Sequence, residues 1–309
     1  MKPGVVITGI SGNLGRALTR LLHGRERVIG IDRRPFPGRP PDVEIHQLDL
    51  RKNKVEDLFR RGRIKAVIHM GILHDPRMSA AEHHAFNVVG TTRILDHCAR
   101  YGVEKVVVLS SANVYGPSPE NSNFITEDAP LMAASRFAGV RDLIEVDMLA
   151  NAFFWRHPST QTVVLRPVHI VGPSIKNAPS NYLRLKRPMA LAGFDPLVQL
   201  IHVEDAARAL VEALRPEARG VYNVVGPGVM PLSAIFRELG QQPVPVPHPL
   251  ARPLLSQMFR WRLAHFPAEE LDHVQFPCIV DGGRWEREVG FRPRHGLRDT
   301  VRCVLGDAA

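Results

Sequence analysis

The sequence predicts an α/β protein in which a doubly wound parallel sheet carries helices on both faces and a smaller lobe follows. Apolar runs of strand length alternate with amphipathic helical stretches along the first two thirds of the chain. Some strands are apolar almost throughout, as at residues 106–109, which is typical of a sheet buried on both faces. A glycine-rich turn separates the first apolar run from a helical stretch, at the place where such sheets bind ligands.

The period of the hydrophobic pattern places the individual elements. Apolar runs predict strands at residues 4–8, 27–31, 44–47, 66–70, 105–110, 162–166 and 220–225. A period of 3.6 residues predicts helices at residues 13–22, 84–100, 135–152 and 201–214. In the first of these helices, Leu14, Leu18, Leu21 and Leu22 form one apolar stripe.

The pattern changes after Gly172-Pro173, which predicts two lobes. The expected boundaries are 1–173 plus 201–226 for the sheet domain and 174–200 plus 227–309 for the smaller lobe. Residues 174–200 are expected to be rich in loops. Five prolines between residues 243 and 253 predict an extended connector.

Composition narrows the class of partner and the compartment. The net charge is +9, and residues 1–70 hold fifteen Lys and Arg against seven Asp and Glu, which would steer an anionic ligand to this half. Aromatic residues are only 6% and no basic run contains them, which argues against a nucleic-acid partner. No apolar run reaches 18 residues, no signal peptide is recognised, and the three cysteines lack metal spacing. We therefore expect a cytoplasmic protein with reduced thiols and no bound metal.

The strongest local signal is the turn at residues 8–15. Its glycines are Gly9, Gly12 and Gly15, and Asn13 and Leu14 open the helix that follows. Such glycines allow a tight turn, close approach of backbone N–H groups to a pyrophosphate, and close packing of helix on strand. The strand before and the helix after supply the context that a lone glycine pattern lacks. The turn therefore predicts a dinucleotide site.

Asp32 lies seventeen residues beyond Gly15, at the end of the second predicted strand. A carboxylate there accepts hydrogen bonds from the ribose hydroxyls of the adenosine. Arg33 and Arg34 follow, and an arginine at this place can hold the 2′-phosphate of NADP. Because Asp32 would repel that phosphate, NAD is the expected cofactor, with NADP as the alternative.

In order and spacing, the motifs resemble those of the extended short-chain dehydrogenase/reductase family, whose members include NAD-dependent epimerases and dehydratases. The matching segments are residues 8–15, 48–50, 67–71, 87–91, 109–116, 165–173, 201–205, 222–224 and 289–293. The resemblance implies a Rossmann-type sheet and a helix-mediated homodimer. It places Ser111 at the position of the catalytic serine. It also implies further contacts between the protein and the cofactor, at Asp49, Leu50, Met70, Gly71, Asn87, Ser110 and Pro167.

The chain departs from this family where the proton is transferred. The family has a tyrosine and, four residues later, a lysine, about 25 residues beyond the serine. Here Phe137 and Arg141 stand at those positions, with no tyrosine between Tyr115 and Tyr182. A phenyl ring has no O–H and cannot act as an acid or base, whereas a guanidinium can still bond the ribose. We expect Arg141 to bind the cofactor without taking part in the chemistry.

Three functions follow from this pattern. The first is an NAD-bound sensor or scaffold with impaired catalysis, and this is the hypothesis that we favour. The second is an active epimerase, dehydratase or reductase that uses Ser111 with an unusual acid or base, for which His69, His74 and His169 are candidates. The third is a structural protein that uses only its surfaces. Residues 250–266 mix apolar and arginine side chains, which fits a helix over the cleft or against a protein partner better than membrane contact.

Overall fold

The computed structural model describes residues 2–73, 78–133, 140–261 and 268–306, without the side chain of residue 269. A seven-stranded parallel sheet forms its centre. The strands are β1 (Gly4–Thr8), β2 (Arg27–Asp32), β3 (Glu44–Gln47), β4 (Ile64–His69), β5 (Lys105–Leu109), β6 (Gln161–Pro167) and β10 (Gly220–Val224). Their order in the sheet is β10-β6-β5-β4-β1-β2-β3. The order reverses between β1 and β4, which opens a crevice at their carboxyl ends. The predicted fold class is confirmed.

Helices cover both faces of this sheet. In this domain they are α1 (Asn13–Leu22), α2 (Lys54–Arg61), α3 (Ala80–His84), α4 (Gly90–Arg100), α5 (Arg141–Arg156) and α7 (Val203–Glu212). Successive strand residues point to opposite faces, so Ile7 packs in one core with Leu18 of α1. Its neighbour Val6 packs in the other core with Ile94 of α4 and Val146 of α5. Each such buried side chain stabilises the fold by about 1.5–3 kcal/mol.

The smaller lobe contains two short sheets and five helices within the described residues. The strands are β7 (His169–Val171), β8 (Met189–Leu191), β9 (Leu197–His202), β11 (Val229–Pro231) and β12 (Val244–Val246). The helices are α6 (Ala178–Leu183), α8 (Leu232–Glu238), α9 (His248–Arg260), α10 (Gly283–Val289) and α11 (Leu297–Arg302). Strands pair as β11-β9-β7 and as β12-β8. Among the described residues, no helix is long and apolar enough to cross a membrane.

One sequence expectation was confirmed in this lobe and one was wrong. Slightly more than half of the stretch 174–200 lies outside helices and strands, although it also contains α6, β8 and most of β9. The proline-rich stretch is not an extended connector throughout, because α9 begins at His248. Pro249 sits in the first turn of α9, where a missing N–H costs nothing, and only Pro253 lies inside it.

The helix expected at 84–100 is interrupted. A π-helical turn, Ala85–Val89, separates α3 from α4. This turn carries Phe86 and Asn87 at the edge of the crevice, and such turns often accompany functional sites. The helix expected at 135–152 is described from Arg141 onward as α5 and continues to Arg156, while residues 134–139 lie outside the described part.

Candidate functional site

Two cavities open at the carboxyl end of the sheet. The glycine-loop cavity, of about 270 Å³, lies under the turn after β1 and the end of β2. The lobe cavity, of about 250 Å³, lies between the ends of β5 and β6 and the smaller lobe. Leu109, the last residue of β5, lines both. A ligand in one cavity would therefore contact the wall of the other.

The glycine turn has the geometry that its residue types demand. Gly9 has φ +75°, and a Cβ atom there would lie 2.9 Å from the carbonyl oxygen of Met70. At Gly15, a Cβ would lie 2.5 Å from the carbonyl oxygen of Ile10, so α1 could not pack so closely on the turn. No acidic residue occupies the first turn of α1, whose N-terminus bears partial positive charge. This end of the cavity suits an anionic group.

Asp32, at the end of β2, is bonded to the glycine turn that follows β1. Its Oδ2 accepts a hydrogen bond from the N–H of Ser11 at 3.0 Å, and its Oδ1 accepts one from the N–H of Arg34 at 2.9 Å. The residue is 8% exposed. The Nε–H of Arg34 also donates to Oδ1, at 3.4 Å. A carboxylate offers about four lone pairs, so there is still room for a hydroxyl donor from a ligand. The sequence identified Asp32 but not its bond to the glycine turn, which depends on the turn folding back over β2.

Most of the predicted cofactor residues lie together in the wall of the glycine-loop cavity. They are Gly9, Gly12, Asn13, Leu14, Gly15, Asp32, Arg33, Leu50, Met70 and Gly71. The sequence did not predict Phe86 or Lys176 in this wall. The guanidinium of Arg33 lies 4.4 Å above the ring of Phe86, which gives the cavity a cationic, stacked edge. Lys176 comes from the segment before α6, and no local pattern pointed to it.

The other predicted cofactor residues have different surroundings. Asp49 pairs with Arg51, whose hydrogen bonds lower the pKa of that carboxyl group. The amide of Asn87 exchanges hydrogen bonds with the backbone of Leu73 and so holds the loop after β4. Arg141 begins α5 with an exposed side chain and is not among the described residues that line either cavity. Cofactor contacts for these residues stay predictions.

Ser110 and Pro167 lie in the wall of the lobe cavity instead. The hydroxyl of Ser110 donates to Asp147 of α5 at 2.6 Å. Asp147 is fully buried and pairs with Arg166 at 2.7 Å. This buried network joins the ends of β5 and β6 to α5, and it fixes the position of the segment that carries Ser111.

Ser111, at the predicted catalytic position, lines the lobe cavity. Its Oγ accepts a hydrogen bond from the N–H of Asn113 at 3.1 Å, which caps the short helical turn after β5. Phe137 lies outside the described residues. Its identity alone establishes that no hydroxyl is available at that position.

Each of the four tyrosine hydroxyls donates a hydrogen bond to a protein group. The acceptors are Glu56 for Tyr101, Asn223 for Tyr115, Met189 for Tyr182 and Arg219 or Glu288 for Tyr222. Tyr182 borders the lobe cavity, but burial raises the pKa of its phenol and opposes ionisation.

The candidate histidines differ in their access to the cavities. His69 is fully buried between the hydroxyls of Thr8 and Thr91, at 2.8 and 2.9 Å, and burial lowers its pKa to about 4. It is a neutral structural link. His169 lines the lobe cavity, and burial of its ring lowers its pKa to about 4 as well. His74 lies outside the described residues.

The comparisons with known proteins agree with this architecture. The family model described as the NAD dependent epimerase/dehydratase family matches residues 5–225. An uncharacterized protein of Mycobacterium tuberculosis is 27% identical, with 94% of this chain and 80% of the relative covered. UDP-glucose 4-epimerase of Bacillus subtilis is 24% identical, with 96% and 94% covered.

Solved structures share the fold. UDP-glucose 4-epimerase of Thermus thermophilus, in complex with NAD, has a TM-score of 0.75 at 20% identity, covering 97% of each chain. MoeE5, in complex with UDP-glucuronic acid and NAD, has a TM-score of 0.75 at 24% identity, also covering 97% of each chain. The family match extends over the whole central sheet and both borders of the crevice. The chain belongs to the NAD-dependent epimerase/dehydratase family.

Proposed function

We propose that this protein binds NAD in the glycine-loop cavity and serves as a cofactor-bound sensor or scaffold, because the acid–base step of its family is impaired. The observation that carries the proposal is the combination of an intact glycine turn and Asp32 with the absence of a tyrosine and lysine pair. The neighbours from Thermus and the MoeE5 complex contain NAD, which supports the same cofactor here.

The residues of the cavity fit each part of a dinucleotide. Backbone N–H groups at the start of α1 would meet the pyrophosphate, and Asp32 would accept from the adenosine ribose. Leu50 and the loop after β4 would contact the adenine. The nicotinamide of NAD would accept a hydride, and it would lie near Leu109, between the two cavities. The chain would then lack a tyrosine hydroxyl to move the accompanying proton.

An active enzyme is the second candidate, favoured by one observation. Ser111 and His169 line the same cavity, so a neutral imidazole and a hydroxyl face a common space. The discriminating experiment measures reduced-nicotinamide absorbance and epimerised products in the NAD-loaded protein. Turnover that is lost in both Ser111→Ala and His169→Gln would establish the enzyme. Absence of turnover with retained NAD affinity supports the sensor or scaffold.

We also propose that the protein forms a homodimer through α4 and α5. Met148 and Trp155 lie seven residues apart on α5 and are 60% and 79% exposed, so they form an apolar stripe on one helical face. Trp155→Glu should give a monomer in light scattering after gel filtration. Trp261→Glu is the matched control, since Trp261 is 65% exposed but lies after α9. A native monomer, or equal effects of both changes, would refute this interface.

A further inference from the structure

The lobe cavity has a largely apolar wall assembled from separate segments of the chain. Leu109 ends β5, Ile170 belongs to β7, Leu200 to β9 and Leu232 begins α8. Phe276 closes one side. The volume of about 250 Å³ is near the lower end of the roughly 300–1,000 Å³ of most ligand sites. The space therefore suits a compact ligand with much apolar surface.

No lysine or arginine is among the described residues that line this cavity. Arg184, the basic residue that follows α6, directs its guanidinium away from it. That group donates to the carbonyl oxygens of Val304 at 2.9 Å, Ile175 at 2.6 Å and Gly172 at 3.0 Å. Phosphate recognition normally relies on such cations or on open backbone donors. The guanidinium of Arg184 thus bonds backbone carbonyl groups of the protein and is not directed at a ligand.

The start of α6 at the cavity wall offers few backbone donors. Pro179 in its first turn has no N–H. The N–H of Ser180 donates to Oδ1 of Asn177 at 2.9 Å. The amide of Asn177 donates in turn to the carbonyl oxygen of Ile170 at 2.8 Å. The polar groups of this turn are hydrogen-bonded within the protein, so few N–H donors are left for a phosphate.

Several polar side chains of the wall are likewise bonded to the protein. Both ends of the Gln199 amide bond the backbone of Val280, at 3.0 and 2.8 Å. The phenol of Tyr182 donates to Met189. Ser111, Asn113, His169, Glu270 and His273 also line the cavity, and the ring centroids of His169 and His273 lie 5.7 Å apart. Ser111 and His169 lie where the cavity meets the end of the sheet.

We propose that the lobe cavity binds an uncharged, predominantly apolar molecule with one hydroxyl or carbonyl group directed at Ser111, and that it does not bind a nucleoside diphosphate sugar. This inference rests on the proposed function in that the polar end of the ligand would lie beside NAD. Glu270 also lines the cavity, and it adds no positive charge that would attract a diphosphate. An apolar ligand instead gains by leaving water, and it needs only one hydrogen bond for orientation.

The test uses the NAD-loaded full-length protein and two probes. N-phenyl-1-naphthylamine is a neutral apolar fluorophore, and UDP-glucose carries the diphosphate. Leu197→Glu places a carboxylate on the cavity wall. The matched control is Leu185→Glu, because Leu185 is 42% exposed against 37% for Leu197 and lies outside the wall. NAD affinity of each protein is measured in parallel by calorimetry.

We expect saturable binding of the fluorophore, weakened at least about fivefold by Leu197→Glu and unchanged by Leu185→Glu. UDP-glucose should give no calorimetric signal and should not displace the fluorophore. Binding of UDP-glucose at an affinity equal to or above that of the fluorophore would overturn the inference. Equal fluorophore binding by all three proteins would overturn it too, since it would indicate adsorption elsewhere. Failure of the native protein to bind NAD would instead overturn the proposed function, and the same fluorophore titrations carried out without NAD would then test the cavity by itself.

Discussion

Asparagine at position 32 would remove one negative charge from the end of β2 while keeping the shape of the side chain. In the native protein, the Asp32 carboxylate accepts hydrogen bonds from Ser11 and Arg34, and the residue lines the glycine-loop cavity. A hydrogen bond to a charged group contributes about 1.5–3 kcal/mol. Asp32→Asn should therefore weaken NAD binding by about ten- to a hundredfold.

The same change should affect NADP in the opposite direction. The carboxylate of Asp32 repels a 2′-phosphate, while Arg33 and Arg34 lie close enough to the cavity to attract one. Without the carboxylate, the ratio of NADP to NAD affinity should rise. A simple loss of folding would lower both affinities together, so this ratio separates recognition from damage.

Calorimetric titration of both cofactors into native protein and Asp32→Asn measures these quantities. Asp96→Asn is the control, because Asp96 is exposed on α4 and lies outside both cavities. Melting curves should accompany the titrations, since Asn cannot satisfy both the Ser11 and the Arg34 amide, and a drop of about 1 kcal/mol in unfolding free energy is expected. Unchanged NAD affinity in Asp32→Asn, or tighter NADP binding by the native protein, would refute the assignment.

Three further predictions follow from other residues of the site. Lys176→Gln should weaken NAD binding a few-fold at low salt and less at high salt, because an exposed cation contributes about 0.2–1 kcal/mol. Lys186→Gln is the control and should leave NAD affinity unchanged. Equal NAD affinities of the two variants in calorimetric titration would contradict this prediction. Burial lowers the pKa of His69 to about 4, below its unfolded value of 6.5, so the unfolded state takes up the proton first as pH falls. Between about pH 7 and 5.5, the free energy of unfolding of His69→Gln should fall by about 1.2 kcal/mol less than that of the native protein, as measured with denaturant. Equal losses in the two proteins would contradict the neutral imidazole. Phe137→Tyr combined with Arg141→Lys should restore slow hydride transfer from an alcohol ligand of the lobe cavity to NAD, with the tyrosine taking the hydroxyl proton. Reduced-nicotinamide absorbance measures the rate, and equal rates in the native protein and the double variant would contradict the loss of a proton relay.

The central sheet was predictable because its strands are buried on both faces and its helices are amphipathic. The strand at residues 4–8 and the helix at 13–22 coincide with β1 and α1. The glycine turn and Asp32 could be placed together because parallel strands bring their carboxyl ends to one edge. Here, local pattern and tertiary position agree.

The lobe cavity was not predictable in the same way. Its wall combines residues such as Ile170, Gln199 and Phe276, which come from distant segments with short elements. The bond between Gln199 and Val280 crosses 81 positions of the chain, and neither residue type indicates it. The start of α9 was missed because prolines in a first helical turn resemble those of an extended segment.

Mass spectrometry of the small molecules released from the purified, denatured protein would test the central claim most directly. The protein should first be incubated with equal concentrations of NAD and UDP-glucose, and then desalted. We expect NAD to be released, and UDP-glucose and its epimer to be absent. Release of a nucleoside diphosphate sugar, or of no dinucleotide at all, would contradict it.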